Sequence, residues 1–306
     1  MEGLKWVAGT FVGVLLLVVA LYATSRLMGA SAEQERALRL MRGGVEIGDS
    51  PAPVAPEAGH RQARRDFDQG RRHTAFDRVC GGIVAQRGAG VGARDLLGYF
   101  GAARAVQESA SLFAQMLARS PADEPLPPTC EEAFAPPRAE ELSLCEAFRG
   151  TLAQTLEVPP DLFFDPTMTD ARMATGFART CGTDPLQLAV VQDRPLPPLS
   201  PSPRFGFDCI GNPTGCLLVD MALPAYDDYV LRAQEHGARM RLASTVYWLH
   251  GQTDGTRPLP ERLAARPATL HSPGHPVEIA EGGAVLRIPT LGPRGGHWQL
   301  PLAPSH

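Results

Sequence analysis

The 306 residues allow two average domains once an apolar N-terminal run is set aside, and 31 glycines with 29 prolines fall short of wholesale low complexity. A formal net charge of −4 excludes a strongly basic nucleic-acid reader and an acidic solvating tail, so no nucleic-acid partner is expected. Lys5 is the only lysine beside many arginines, which reads as codon usage in a GC-rich bacterial genome rather than as site chemistry.

The first element, residues 1–26, is a transmembrane anchor. Trp6 to Ala23 carries no charge, and a helix of that length rises roughly 27 Å, enough to cross a bilayer core. Trp6 and Tyr22 stand at its ends, flanked by Lys5 and Arg26, as interfacial aromatic and snorkelling residues do. Ala30-Ser31-Ala32 also fits a signal-peptidase site, but the apolar run exceeds the usual core of about 7 to 15 residues and Arg26 separates the two. Retention as a single-pass anchor is expected. Two signals for orientation disagree. Arg26, Arg36, Arg39 and Arg42 follow the helix and favour a cytoplasmic domain, whereas six cysteines beyond it favour an oxidising compartment. Long domains translocate largely regardless of flanking charge, so the expected place is the bacterial inner membrane with a periplasmic domain.

Residues 27–73 are expected to form a juxtamembrane proline-rich stalk. Ser31 to Met41 can extend the membrane helix, Ser50 to Pro56 favours polyproline geometry, and Arg61 to His73 is a basic run broken by Asp66 and Asp68 that reads as a solvated linker. Residues 74–194 read as helical. Leu96, Phe100, Ala103, Val106, Ala110, Phe113 and Leu117 draw one helical stripe, ended by Ser120-Pro121. A second helix is expected from Ala139-Glu140-Glu141 through Cys145, Phe148, Leu152 and Leu156, and Asp165-Pro166 is an N-cap followed by proline at the first helical position. Prolines 195, 197, 198, 201 and 203 make a connector. Residues 195–306 then hold a long helix from Tyr226 to Tyr247, in which Gly237 permits close packing, and an antiparallel sheet around Val277–Ile279, Val285–Ile288 and His297–Leu300. The fold class is mainly α with a small C-terminal β part, and 195–306 is expected to share one domain with 74–194.

Chemistry is sparse. Six of eight histidines (His236, His250, His271, His275, His297 and His306) fall near the C-terminus. His271 and His275 have the spacing of a helical metal pair, with Asp254 or Glu278 as further ligands, but Pro273 and Gly274 forbid the helix. No cofactor is expected. No Gly-x-Ser-x-Gly occurs, and Gly81-Gly82 and Gly88 to Gly92 match no phosphate-binding loop, reading instead as a helix–helix corner. Glu140-Glu141 and Asp227-Asp228 are adjacent carboxylates that point to different faces and do not suit paired acid–base work.

Cysteine is the most specific signal. No Cys-x-x-Cys pair exists, which disfavours thioredoxin-like exchange and zinc ribbons. Cys209 and Cys216 enclose a Gly-Asn-Pro turn, Cys130 and Cys145 flank Ala135-Pro136-Pro137, and elimination leaves Cys80 with Cys181. Fifteen pairings remain open in principle.

The anchor with Ala32 to Leu38, then Pro127 to Pro137, Glu141 to Phe148, Arg241 to Leu249 and Arg257 to Leu263, resembles uncharacterised single-pass, membrane-anchored bacterial envelope proteins. The resemblance implies a C-terminal helix, turn and small sheet, and carries over no catalytic residue. The leading expectation is a non-enzymatic interaction or assembly protein with a disulfide-stapled domain that binds an envelope protein or the cell wall. The alternative is a metal-dependent hydrolase using the C-terminal histidines, and a cysteine-based redox sensor ranks below both.

Overall fold

The computed structural model describes residues 2–43, 56–153, 159–199, 206–252, 257–291 and 295–302, the side chains of 2–12 excepted. Residues 50–55, Leu156, Pro201, Pro203, Asp254 and His306 lie outside these. The fold is mainly helical with one small sheet.

Helix α1 spans Glu2–Met28, and the apolar stretch described from Gly13 is long and apolar enough to cross a membrane. Its side chains from Val14 to Val19 are all more than half exposed. Within 27–73 the described residues hold two helices, the first where Ser31 to Met41 is expected to be helical and the second over the basic run expected to be a linker. Helix α2 (Ala32–Arg42) opens on a capping box between Ser31 and Gln34 and buries Met41, while α3 (Glu57–Asp68) buries Ala63, Asp66 and Phe67. In α3 the arginines mask a narrow apolar stripe, which is why the run reads as a linker. Asp66, at its centre, is 2% exposed and ion-paired to Arg71 and Arg78.

Helices α4 (Arg72–Val91) and α5 (Leu96–Leu117) fold back on each other through a short turn, and Asp95 caps α5 by accepting from the Gly98 amide. Gly81, Gly82, Gly88 and Gly90 lie inside α4, with Gly90 packed close to Ala102, and Gly92 caps α4 at the corner with α5. After α6 (Thr129–Ala133), the helix expected from Ala139 divides into a 3₁₀ turn, Ala139–Leu142, and α7, Cys145–Ala153. Helix α8 (Pro166–Ala178) has Asp165 as its N-cap, and α9 (Pro185–Gln192) has Asp184. Then come α10 (Asp208–Gly211), α11 (Pro213–His250) and α12 (Leu259–Ala264). At 38 residues α11 begins well before Tyr226. Asn212-Pro213, which reads as a turn, is its N-cap and first residue.

Strands β1 (Glu278–Ala280), β2 (Val285–Pro289) and β3 (His297–Pro301) form an antiparallel sheet in the order β1-β2-β3. Gly282 and Gly283, with φ of 65° and 101°, supply the left-handed backbone between β1 and β2. Leu286 pairs with Leu300 and Ile288 with Trp298, so one sheet face joins the core beneath α11.

Two apolar cores share α11. The first joins α3, α4, α5, α6 and the sheet to the C-terminal part of α11 through Phe76, Phe113, Phe134 and Val246. The second joins α2, α7, α8 and α9 to its earlier turns through Phe148, Phe177, Leu223 and Ala233, with Phe148 and Phe177 stacked at 4.3 Å. The described start of the proline connector turns into the second core, for Leu199 is fully buried there and its amide donates to the Asp227 carboxylate.

Each core holds one long-range disulfide, and this corrects two of the three expected pairings. Cys80 joins Cys130, and Cys145 joins Cys181. Cys130 belongs to the first core and Cys181 packs against the second, so Cys130 does not reach Cys145 and Cys80 does not reach Cys181. Cys209 joins Cys216 across the short turn.

Gly237 marks a close approach along α11. A Cβ there would lie 2.9 Å from Cδ1 of Leu142, itself fully buried. Gly237→Val is expected to destabilise the fold by about 1–3 kcal/mol through overpacking, read as a lower urea midpoint with unchanged slope.

Candidate functional site

The histidines do not converge. His271 is exposed, with Nε2 facing the Arg266 carbonyl at 3.3 Å, whereas His275 is fully buried. The two therefore form no metal pair, and neither contacts Glu278, which pairs with Arg287. His275 Nδ1 lies 2.7 Å from Asp193 Oδ1, and because a carboxylate only accepts, Nδ1 carries the proton. Asp193 Oδ2 also accepts from the amides of Gly274 and His275, and Asp193 itself ends α9 in a left-handed conformation at φ 55°. This cluster latches the 272–275 loop to α9. His275 Nε2 and Ser272 Oγ are buried and find no partner among the described residues, so they do not bond one another and no serine–histidine–aspartate relay forms.

A second polar cluster lies between the cores. Arg87 donates through Nε and Nη2 to the Glu141 carboxylate, and through Nη1 to the carbonyls of Glu132, Ala133 and Ala135. The guanidinium thus holds the chain leaving the Cys130 disulfide. Tyr99 donates to the Glu141 carbonyl, and its own ionisation is pushed up by burial and then by the Glu141 charge. His236 lies edge-on to Tyr99. Burial, followed by the Arg239 and Arg87 charges, depresses the His236 imidazole to about 3. The cavity that these side chains line has a volume of about 10 Å³, room for one water.

The most elaborate constellation is where α1 meets the body. The Ser25 hydroxyl, fully buried, donates to the Phe207 carbonyl at 2.7 Å and accepts from the Gly211 amide at 2.9 Å. Arg26 donates to the Asp165 carboxylate, to the carbonyls of Asp161 and Phe164, and to Tyr22 Oη. Tyr22 in turn donates to the Leu162 carbonyl. A Cβ on Gly211 would meet Ser25 Oγ at 2.7 Å and the Arg26 amide nitrogen at 3.0 Å, so the glycine permits the helices to touch.

Asp208 accepts from Gln34 and Arg172, Arg172 also donates to Asp220, and Asn212 ties α8 to α11 by accepting from the Asp165 amide and donating to Thr169. Disulfide Cys209–Cys216 locks α10 to the first turn of α11. Asp208, Cys209 and Cys216 come close enough for metal ligands, but the sulfurs are bonded to each other and the carboxylate is held by Arg172 and Gln34. The collar positions and orients rather than reacts. Its signal in the sequence is Tyr22, Ser25 and Arg26 at one end of an apolar helix, together with the Asp165 and Asn212 caps.

Two outcomes follow from these clusters. Ser25→Val removes both collar hydrogen bonds and is expected to destabilise the junction by about 1–3 kcal/mol, seen as faster amide exchange at 22–28 and 207–211 with the cores unchanged. For His236, the unfolded chain takes up a proton near pH 6.5 and the folded chain only near 3. Stability is thus complete above pH 6.5 and falls as pH drops through that window, by up to about 1.4 kcal/mol per unit. Urea titrations at pH 7 and pH 5 are expected to show the wild type losing about 2 kcal/mol more than His236→Gln.

No family model, curated protein or solved structure matches the chain.

Proposed function

We propose that the chain is a single-pass, membrane-anchored bacterial envelope protein with a disulfide-stapled periplasmic body, acting by binding another envelope protein or the cell wall. The observation that carries the anchored reading is the collar. Tyr22, Ser25 and Arg26 all precede the small-residue site Ala30-Ser31-Ala32, yet each is bonded into the body. Cleavage there would strip the Phe207 and Leu162 carbonyls and the Asp165 carboxylate of their partners, and Ser31 itself caps α2. A segment so used in the fold is kept, not discarded.

The periplasmic side is favoured by the cysteines, all six of which are disulfide-bonded. The arginines that argue the other way are largely committed. Arg26 pairs with Asp165, Arg42 with Asp170 and Arg39 with Glu35, so the net positive charge next to the anchor is smaller than the arginine count implies. A binding role is favoured by where the titratable groups are used. Glu141 is neutralised by Arg87, and His275 and Asp193 hold a loop.

The test uses the full chain expressed in a bacterium with a compartment reporter fused after His306. The protein is expected in the membrane fraction with residues 1–32 intact by mass, with the reporter active in the periplasm and six thiols alkylated only after reduction. A mature chain lacking residues 1–32, or thiols free before reduction, would overturn the reading.

A further inference from the structure

We infer that the collar side of the body is a lipid-contacting surface, immersed in the interfacial layer of the membrane that holds α1. This rests on α1 spanning the bilayer. Around the exit of α1 the body presents Leu162 and Phe163 from the loop before α8, Ile210 from α10, and Leu217, Leu218 and Met221 from the first turns of α11. Phe163, Leu217 and Met221 are 57%, 60% and 61% exposed, and the others 40% or more. Such a contiguous group of large apolar side chains is unusual on a surface that meets only water.

The backbone ties these three segments to one another and to α1. The Leu162 carbonyl is bonded by Tyr22, the Phe163 carbonyl accepts from the Thr214 amide at the start of α11, and Ile210 sits beside Gly211, against which Ser25 packs. The patch is therefore continuous with the anchor, and its occupant follows from its height. Tyr22 belongs to the uncharged run that crosses the bilayer, so Leu162 and Phe163 ride at the level of its last turn. Beyond Arg26, Leu27 and Met28 remain exposed on the same helix. From Tyr22 to Met28 the helix rises only about 9 Å, so the patch lies within the interfacial zone of the bilayer.

Charge agrees with this placement. Between Pro213 and Ala225 the only charged residue of α11 is Asp220, which turns inward to Arg172. Asp165 and Asp208 are paired to Arg26 and Arg172, and the exposed Asp161 folds back so that its carboxylate accepts from the Phe163 amide. An apolar face whose acids are tied into ion pairs or hydrogen bonds at the rim is the surface that an interfacial element presents to acyl chains and headgroups. A lipid bilayer, rather than a second copy or a soluble protein, is the occupant that the anchor already brings to this position.

Full-length Phe163→Trp and Met221→Trp variants, reconstituted in vesicles of phosphatidylcholine and phosphatidylglycerol, test the inference by tryptophan quenching against brominated lipids and aqueous acrylamide. The native tryptophans are subtracted by comparison with wild type, and Trp6, read by difference from Trp6→Phe, reports whether α1 is inserted. Both new tryptophans are expected to be quenched by lipid brominated near the glycerol end more than by lipid brominated near the chain end, and to be shielded from acrylamide. If Trp6 is quenched by lipid while the new tryptophans are reached by acrylamide, the patch faces water and the inference falls. If they are shielded from both quenchers, a second copy or another protein covers the patch and the inference falls equally. If lipid does not quench Trp6 either, α1 is not inserted, and the anchored reading fails together with this one.

Discussion

Everything in this fold is referred to α11, because a helix of 38 residues passes through both cores and neither is closed without it. A helix of that length, about 57 Å, has no intrinsic reason to stay in one place, and it is fixed by close approaches along its length. Cys216 ties its first turn to α10, Leu223 lies against Gly176 of α8, and Gly237 admits Leu142. Beyond that, Ala243 and Val246 receive the sheet. Pro224, which lacks an amide hydrogen, falls on an exposed position where its loss of a hydrogen bond is cheaply met by water. The two long-range disulfides tie one core each and none bridges them, so α11, α5 and the Arg87–Glu141 pair carry the connection.

Three charged groups share a design in which each ties down a chain end or loop. Arg87 satisfies the carbonyls of Glu132, Ala133 and Ala135 at the C-terminal end of α6, Asp193 satisfies two amides of the 272–275 loop, and Arg26 satisfies two carbonyls of the loop before α8. Burying an ion is costly unless it is paired and fully hydrogen-bonded, and removing one partner costs more than the pair contributes. Such clusters therefore select one arrangement of the loops more than they add stability. The buried neutral His236 adds the opposite liability, since it makes the contact between the cores sensitive to acid.

How far the sequence revealed this depends on what each segment hides. The α5 stripe, the Asp165-Pro166 start of α8 and the glycine turn of the sheet were legible because period and cap point the same way. Helix α3 was not, because five arginines and two aspartates between Arg61 and Arg72 outnumber its three buried residues. The first turns of α11 were missed because Asn-Pro serves equally as a turn and as a helix start, and only the amide of Gly215, bonded to Asn212, decides between them. Cysteine partners were the least legible. Closeness in sequence favoured Cys130 with Cys145, yet the chain between them passes from one core to the other. The collar was half legible: the apolar helix was visible, but the residues that receive it lie more than a hundred positions away.

The same distance explains why the clustered histidines were a poor guide to chemistry. His236 lies against Gln107, His250 against the Glu124 carbonyl, His271 against Arg266, His275 against Asp193 and His297 near Glu278. Five neighbours in sequence thus serve five separate sites, because α11 and the sheet send them to different faces. The concentration of polar contacts runs the other way, toward α1, where residues from five helices and the loop before α8 meet within one collar. Only Gly29 and Ala30 separate the end of α1 from the cap of α2, and Ser25 and Arg26 are bonded before that break is reached. The body is thus bonded directly to the last turn of α1. Where α1 spans a bilayer, as proposed, the collar sets the height and the orientation of the body beside it.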